Sequence, residues 1–285
     1  RQMLHKAKKM NPEAVVVAVG CYVQTGKEDA LLDESIDLAI GNNRKKDLVP
    51  ILEEFLAKRR SLETEEVSDR KTLSGKTLID INQTDEYEEM QLKKTGEHTR
   101  AFIKIQDGCN QFCSYCIIPY ARGRERSRDF DEIVRELADL ASKGYKEVML
   151  LGQNVNSYKG EGGKTFADIL RAASDFKEFS RVRFMSSHPK DLSDEVIDIM
   201  ATRPNVEKHL HLAMQSGSDK VLKDMNRPYT IDRFLEIADK FRTRVEGGSL
   251  TTDIIVGFPG ETEEDFEGTM QMLSRVKFDM LYSFI

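Results

Sequence analysis

Residues 106–128 read QDGCNQFCSYCIIPYARGRERSR, and this stretch holds three of the four cysteines in the 285-residue chain. Cys109, Cys113 and Cys116 follow the spacing CxxxCxxC. Thiolates this close in sequence converge on one soft metal more readily than they pair as disulfides. A structural zinc or a closed iron–sulfur site takes four protein ligands, whereas three leave one metal position open for a substrate or cofactor. The spacing therefore predicts a metal site that does chemistry.

Zinc is the alternative metal for these cysteines. It would need a histidine as its fourth ligand, and the candidates are His98, His188, His209 and His211. None of the four lies at a short zinc-finger spacing from the cysteines, which disfavours this alternative.

The composition indicates a globular protein outside the membrane. Apolar residues make up 39% of the chain, and no run of eighteen could span a bilayer. The first residues lack the basic start, short apolar core and cleavage site of a signal peptide, so we expect a cytoplasmic location and reduced thiols.

The net charge of −6 is concentrated in one stretch. Residues 61–98 hold ten acidic and five basic residues, few apolar ones and no clear period. This pattern predicts an acidic linker with a solvated face, and it leaves the rest of the chain close to neutral.

After residue 98, strand-like and helix-like segments alternate. Strands are predicted at 101–106, 147–152, 181–187, 208–214, 250–258 and 279–285. Amphipathic helices are predicted at 130–142, 166–176, 193–202, 231–244 and 263–276. Six strands with helical crossovers predict an α/β fold with a parallel sheet, a partial TIM-type (β/α)6 barrel. Reactive groups in such folds gather where the strands end, and the cysteines follow the first strand.

The segment before the linker is predicted to be α/β as well. A helix at 1–10, strands at 14–20 and 36–40 and a helix at 48–57 are too few to close a core. We therefore expect three parts, namely a truncated α/β domain at 1–60, the linker at 61–98 and the main domain at 99–285, with the chain cut at both ends.

The cysteine spacing, with the aromatic Tyr115 just before the last cysteine, resembles the cluster loop of the radical S-adenosylmethionine superfamily. The resemblance implies that the three thiolates hold a [4Fe-4S] cluster whose fourth iron binds the amino and carboxylate groups of S-adenosylmethionine. Electron transfer from the cluster then cleaves the cofactor to a 5'-deoxyadenosyl radical.

Several motifs in fixed order resemble the methylthiotransferase family, in particular its tRNA-modifying branch. They are GCNQFCSYCIIPYARGRERSR, LLGQNVNSY, HLHLAMQSGSDKVLKDMNRPYT and TTDIIVGFPGETEEDF, and they cover nearly all of residues 99–285. The resemblance implies addition of a methylthio group to C2 of N6-isopentenyladenosine at position 37 of tRNA. It also implies two [4Fe-4S] clusters, two molecules of S-adenosylmethionine, a flavodoxin or ferredoxin as electron donor and a separate sulfur donor.

The same resemblance implies roles for individual residues. Cys21 would match one of three ligands of an auxiliary cluster, and the other two would lie before Arg1. Tyr115 would pack near the adenine of S-adenosylmethionine, unless it is an ordinary core aromatic. The residues at two strand ends would meet the cofactor: Gly152 and Gln153 at the methionine amino group, Gln215 and Ser216 at the ribose. The small C-terminal barrel with which the family grips tRNA has no counterpart in the sequence.

Four arginines alternate along the chain after the cysteines. In an extended segment Arg122, Arg124, Arg126 and Arg128 would project to one side as a basic ridge that meets phosphates or the cofactor carboxylate. The alternative is a solvated loop whose arginines pair with Glu125 and the linker acids.

Three other functions stay open. The same sulfur chemistry could act on N6-threonylcarbamoyladenosine in tRNA, or on an aspartate of a ribosomal protein. The chain could instead be a metal-bearing RNA-binding module without turnover. The runs GQNVNSY and QSGS favour the isopentenyladenosine branch.

Overall fold

The computed structural model describes residues 1–64, 75–77, 81, 83–84, 86–88 and 99–285. The chain divides into two compact units. The first comprises Arg1–Gln91 with Ile117–Arg124, and the second Leu92–Cys116 with Glu125–Ile285. Within the described ranges, no helix is both long enough and apolar enough to cross a membrane.

The first unit is a small parallel α/β layer. Its elements are α1 (Gln2–Met10), β1 (Val17–Val19), α2 (Cys21–Thr25), α3 (Lys27–Leu32), β2 (Leu38–Ile40), α4 (Leu48–Thr64), β3 (Gly75–Thr77) and α5 (Ile118–Arg122). The three strands pair in the order β1-β2-β3, all parallel. Val23, Leu38 and Ile40 are fully buried at its centre. The two helices and two strands predicted for this region are thereby confirmed, with shorter strands and a longer α4.

The stretch expected to be a linker contributes to this unit. Its residues Gly75–Thr77 form β3, which pairs with β2. Ile81 and Glu88 are buried, and the Glu88 carboxylate accepts the backbone N–H of Lys46 at 2.9 Å. The three residues of β3, Gly-Lys-Thr, include no apolar side chain, so the sequence carried no hydrophobic signal for this strand. Residues 61–64 form the end of α4, and the rest of 61–98, other than 83–84 and 86–87, lies outside the described residues.

The second unit contains all six strands predicted for the main domain. They are β4 (Arg100–Lys104), β7 (Glu147–Leu151), β8 (Arg181–Phe184), β9 (His209–His211), β10 (Ser249–Ile255) and β11 (Met280–Phe284). They form two parallel sheets, β4-β7-β8 and β9-β10-β11. A parallel bridge between Ser187 and Leu212 links β8 to β9. Among the described residues β4 and β11 are not paired, so the six strands form a partial barrel that is not closed.

Helices connect these strands and cover the sheet. They are α6 (Phe130–Ser142), α7 (Phe166–Asp175), α8 (Asp194–Thr202), α9 (Asp219–Asp224), α10 (Ile231–Arg244) and α11 (Glu263–Val276). Five of them begin where a Ser, Thr or Asp side chain accepts a backbone N–H of the first turn, as Asp129 does from Glu132 and Ser193 from Val196. Their apolar faces pack on the strands in one continuous core, in which Phe166 meets Phe184 edge-on at 5.1 Å.

A two-stranded antiparallel ribbon follows β4. Its strands β5 (Gln106–Asp107) and β6 (Arg126–Ser127) lie on either side of the cysteines in sequence. The ribbon therefore joins the two ends of the segment 108–125, within which we define residues 108–116 as the cysteine loop.

Candidate metal centre

The cysteine loop leaves the sheet at the C-terminal end of β4, where parallel α/β folds place their reactive groups. Cys116 donates its backbone N–H to the Cys113 carbonyl at 2.9 Å, which closes a turn between the last two cysteines. Phe112 has a φ of 51°, a left-handed conformation that few non-glycine residues adopt. The loop is thus a shaped element rather than an extended connection.

The three sulfurs are electrostatic neighbours. Burial is the main cause of a Cys109 thiol pKa raised to about 11; a backbone hydrogen bond from Gln111 lowers this pKa, and the negative charges of Glu125, Cys113 and Cys116 add to the rise. All three cysteines are free, with Cys113 buried and the other two half-buried. A thiol with such a pKa keeps its proton until a cation displaces it, as metal ligation does.

The side chains as they stand do not yet form a chelating set. Within the part of the chain that the structure describes, no three His, Cys, Asp or Glu side chains are arranged to hold a metal ion. The donor chemistry nevertheless fits a thiolate-ligated cluster, because three thiols share one short loop and sense one another's charge. Ligation requires the cysteine side chains to turn toward a common point.

The segment 225–227, directly after α9, holds the cysteine loop in place. Ser114 donates its backbone N–H to the Met225 carbonyl at 3.1 Å. The side-chain amide of Asn226 donates to the Gln111 carbonyl at 3.1 Å. These contacts satisfy polar groups of an irregular loop, which stabilises its conformation before any metal binds.

Arg227 joins the cysteine loop to the end of β9. Its Nη1 lies 3.7 Å from the Cys113 sulfur and 3.3 Å from the Tyr115 hydroxyl. Its Nη2 donates to the Ala213 carbonyl at 2.6 Å, and its Nε donates to the Tyr229 hydroxyl at 3.0 Å. Sequence reasoning gave Arg227 no role, although it stands in the quoted run MNRPYT.

The groups around Arg227 favour its charged form. Burial lowers the pKa of Arg227, but the charges of Tyr229, Tyr115 and Cys113 outweigh burial and hold it above its ordinary value. Burial raises the pKa of the Tyr115 hydroxyl, and the Arg227 charge opposes that shift. The Arg227 guanidinium is therefore held beside the loop as a cation.

The structure brings Gly152 and Gln153 next to the cysteine loop. Gln153 accepts the backbone N–H of Gly108 on its side-chain oxygen at 2.8 Å. Gln106 in turn accepts the backbone N–H of Gln153 at 2.9 Å. A Cβ at Gly152 would lie 2.8 Å from the Gln106 side-chain oxygen, so a larger residue at this position would displace that side chain. Their predicted contact with the methionine amino group stays a prediction.

Gln215 and Ser216 lie at the end of β9. Gln215 is buried with a φ of 69°, and its backbone continues the pairing with β10. The Ser216 hydroxyl is fully buried and accepts the backbone N–H of Ser218 at 3.2 Å. Ser216 thus stabilises its own loop, while a ribose contact for either residue stays a prediction.

The four arginines do not form the exposed ridge that was predicted. Arg126 and Arg128 are buried, Arg126 at 3.9 Å from Asp107 and Arg128 in contact with Glu136. Arg122 ends helix α5 and Arg124 is exposed. The prediction was wrong because it assumed an extended backbone throughout, whereas this segment contains a helix and a paired strand.

A group of buried polar atoms lies at the ends of β7 and β8. The side-chain atoms are Asn154 Oδ1, Asn156 Oδ1 and Nδ2, Ser187 Oγ and His188 Nε2, and the described structure gives none of them a hydrogen-bond partner. His188 accepts the Lys190 N–H at Nδ1, at 3.2 Å, which places the imidazole proton on Nε2. Burial and the charges of Arg227 and Lys190 lower the pKa of His188 to about 3, so the ring is neutral.

Cys21 belongs to the first unit and begins α2. Its sulfur accepts the side-chain amide of Asn42 at 3.3 Å, and the same amide donates to the Ala121 carbonyl at 2.5 Å. Cys21 is half-buried, and its role as an auxiliary-cluster ligand stays a prediction.

An open parallel barrel with a three-cysteine loop after its first main strand defines a class of enzyme that uses a thiolate-held metal cluster at the mouth of the barrel. The Radical SAM superfamily model matches residues 103–273, and the chain belongs to that superfamily. Membership implies a [4Fe-4S] cluster and S-adenosylmethionine.

Curated relatives cover almost all of this chain. A tRNA-2-methylthio-N(6)-dimethylallyladenosine synthase from Thermoanaerobacter sp. (strain X514) is 42% identical over 99% of the chain. Synthases of the same name from Finegoldia magna and Bacteroides fragilis are 38% and 41% identical over 99%. The chain spans only 58 to 60% of the length of these three relatives.

Solved structures support the fold alone. The cobalamin-dependent radical enzyme OxsB aligns with 95% of this chain and 41% of its own, at a TM-score of 0.61 and 10% identity. The radical methyltransferase TsrM from Kitasatospora setae aligns with 65% of this chain and 35% of its own, at a TM-score of 0.53 and 18% identity.

Proposed function

We propose that the protein adds a methylthio group to C2 of N6-dimethylallyladenosine in tRNA, at position 37. The observation that carries the proposal is the name shared by relatives 38 to 42% identical over 99% of this chain. The presence of all three cysteines of the loop supports it, since the reaction needs radical chemistry. The target C2–H bond is unactivated toward acids and bases, so no side chain of the chain would suffice.

The cysteine loop is proposed to carry the cofactors. Cys109, Cys113 and Cys116 would hold the [4Fe-4S] cluster, and the cofactors supply one-electron cleavage of S-adenosylmethionine to a radical able to remove a hydrogen atom. Gly152 and Gln153, already packed against the loop, would receive the methionine end. Tyr115 would pack near the adenine, and Gln215 and Ser216 near the ribose.

Other parts of the proposal concern the whole protein. The first unit corresponds to the C-terminal part of a methylthiotransferase N-terminal domain, in which Cys21 would be one ligand of a second [4Fe-4S] cluster. The electron donor would be a flavodoxin or ferredoxin, a separate donor would replace the sulfur, and the reaction would run in the cytoplasm.

Contact with tRNA phosphates is proposed for Arg122 and Arg124 only. We do not propose this role for Arg126 and Arg128, because their guanidinium groups are buried with acidic partners, away from a phosphate backbone.

The test is mass spectrometry of tRNA nucleosides from cells that lack the full-length gene. We expect the methylthio mark on N6-dimethylallyladenosine to vanish, to return with the wild-type gene and to stay absent with Cys113→Ala. The control is Lys143→Ala: Lys143 is exposed and follows α6 in the sequence, outside the cysteine loop, so this variant should restore the methylthio mark. Persistence of the mark in the deletion strain would refute the assignment, and loss of a threonylcarbamoyladenosine or ribosomal-aspartate mark would point to the alternative substrates.

A further inference from the structure

We propose that Arg227 is a positioning residue that raises the reduction potential of the cluster at the cysteine loop, by fixing a buried positive charge against the Cys113 sulfur. The inference rests on the cluster ligation proposed above and goes beyond it, because it assigns control of electron entry to a residue outside the cysteine motif.

The position of the Arg227 charge is fixed by the protein. The guanidinium is 7% exposed and donates to the Ala213 carbonyl and the Tyr229 hydroxyl. It also lies over the Tyr229 ring, 5.1 Å from its centroid. With these partners on one side, the remaining N–H groups of Nη1 face Cys113 and Tyr115. The side chain cannot swing away without leaving buried donors unpaired, which is costly.

This placement acts on the two oxidation states of a cluster differently. Reduction transfers one electron from an external donor to the cluster and adds one negative charge to the cluster with its thiolates, and no covalent bond changes. A nearby positive charge stabilises the more negative state, and screening is weak because the guanidinium is buried. Net charge and hydrogen bonds to the sulfurs are known determinants of cluster potential. Arg227 supplies both at Cys113.

A charge of opposite sign stands at the other end of the loop. The Glu125 backbone N–H donates to the side-chain oxygen of Asn110, the residue after Cys109, at 3.2 Å. The Glu125 carboxylate accepts the backbone N–H of Asn110 at 3.4 Å, which keeps it beside the loop. Removal of the Glu125 charge should therefore shift the potential in the direction opposite to removal of the Arg227 charge.

The experiment uses the full-length protein, reconstituted anaerobically with iron and sulfide. Iron per chain is measured, and the midpoint potential is obtained by titration with dithionite followed by the electron paramagnetic resonance signal of the reduced cluster. The variants are Arg227→Gln, Arg227→Lys and Glu125→Gln. Arg242→Gln is the control, because Arg242 also donates to backbone carbonyls, of Gly248 and Lys277, and its hydrogen bonds in the described structure do not involve the cysteine loop.

We expect a midpoint more negative than wild type for Arg227→Gln, more positive for Glu125→Gln, and close to wild type for Arg227→Lys and Arg242→Gln. An Arg227→Gln protein with full iron and a wild-type midpoint overturns the proposal. If Arg227→Gln does not retain iron, the other two variants decide. An unchanged midpoint potential in Glu125→Gln, or a strongly lowered midpoint potential in Arg227→Lys, then overturns the proposal. A wild-type protein that binds no iron refutes the cluster ligation itself. If the midpoint potentials are as expected but the protein does not form the methylthio mark on tRNA, only the proposed function is refuted.

Discussion

Gly217→Ala probes the contact that holds the loop after β9 against α11. A Cβ at Gly217 would lie 2.6 Å from the Gly268 carbonyl oxygen, 2.7 Å from the Thr269 nitrogen and still closer to the Thr269 Cα. All three are backbone atoms of a helix, so no side chain can rotate out of the way. Ordinary contacts between such atoms are roughly 3.5 Å, and the loop and helix must separate by about 1 Å.

That separation has a cost that can be worked out. Overpacking of this kind costs about 1–3 kcal/mol, and the shift also weakens the hydrogen bond from the Gly217 N–H to the Thr269 hydroxyl, 2.8 Å long, for about 1 kcal/mol more. We therefore expect Gly217→Ala to lower the free energy of unfolding of the second unit by about 2–4 kcal/mol.

Urea unfolding followed by far-ultraviolet circular dichroism measures this loss. The matched control is Gly144→Ala, where φ is 85° and no atom lies within 4 Å of the added Cβ, so that only left-handed strain of about 1–2 kcal/mol is expected. Equal losses for the two variants would show that the contact with α11 does not constrain the loop.

Three further changes test other parts of the second unit. Arg128→Ala should lower the unfolding free energy by about 3–5 kcal/mol, measured by urea titration, because it leaves Glu136 without its buried partner. Folding should weaken as pH falls, because the folded-state pKa of His188, about 3, lies below the ordinary 6.5. The contribution of neutral His188 to the free energy of unfolding is complete above pH 6.5 and falls by up to about 1.4 kcal/mol per pH unit toward pH 3. In thermal unfolding at successive pH values, His188→Gln should make the stability depend less steeply on pH. Gly152→Ala should displace the Gln106 side chain and reduce iron retention after reconstitution, and unchanged iron content would contradict that reasoning.

Local patterns predicted the repeating elements well. The six main-domain strands appear where apolar runs end in polar or glycine residues, and each confirmed strand is within a few residues of its expected range. Hydrophobic periodicity is a local property, so one sequence suffices to find it. The small strand β3 was not predicted because its residues, Gly-Lys-Thr, include no apolar side chain, and it is defined only by its pairing with β2.

The arginines show where sequence reasoning stopped. Alternation of Arg122, Arg124, Arg126 and Arg128 predicts one face only if the backbone stays extended, and the helix α5 breaks that condition. The role of Arg227 was not predicted for a different reason: its partner Cys113 lies 114 residues earlier in the chain. No spacing rule connects two positions so far apart.

By itself the sequence determined the cysteine loop, the superfamily and the order of strands and helices, because each depends on residue type and short-range spacing. Only the tertiary structure decided which charges are buried, which residues hold the loop and which polar atoms at the strand ends lack partners. The reason is physical: burial and hydrogen bonding between distant segments depend on how strands and helices pack, and the free energy of a charge depends on the surroundings that packing creates.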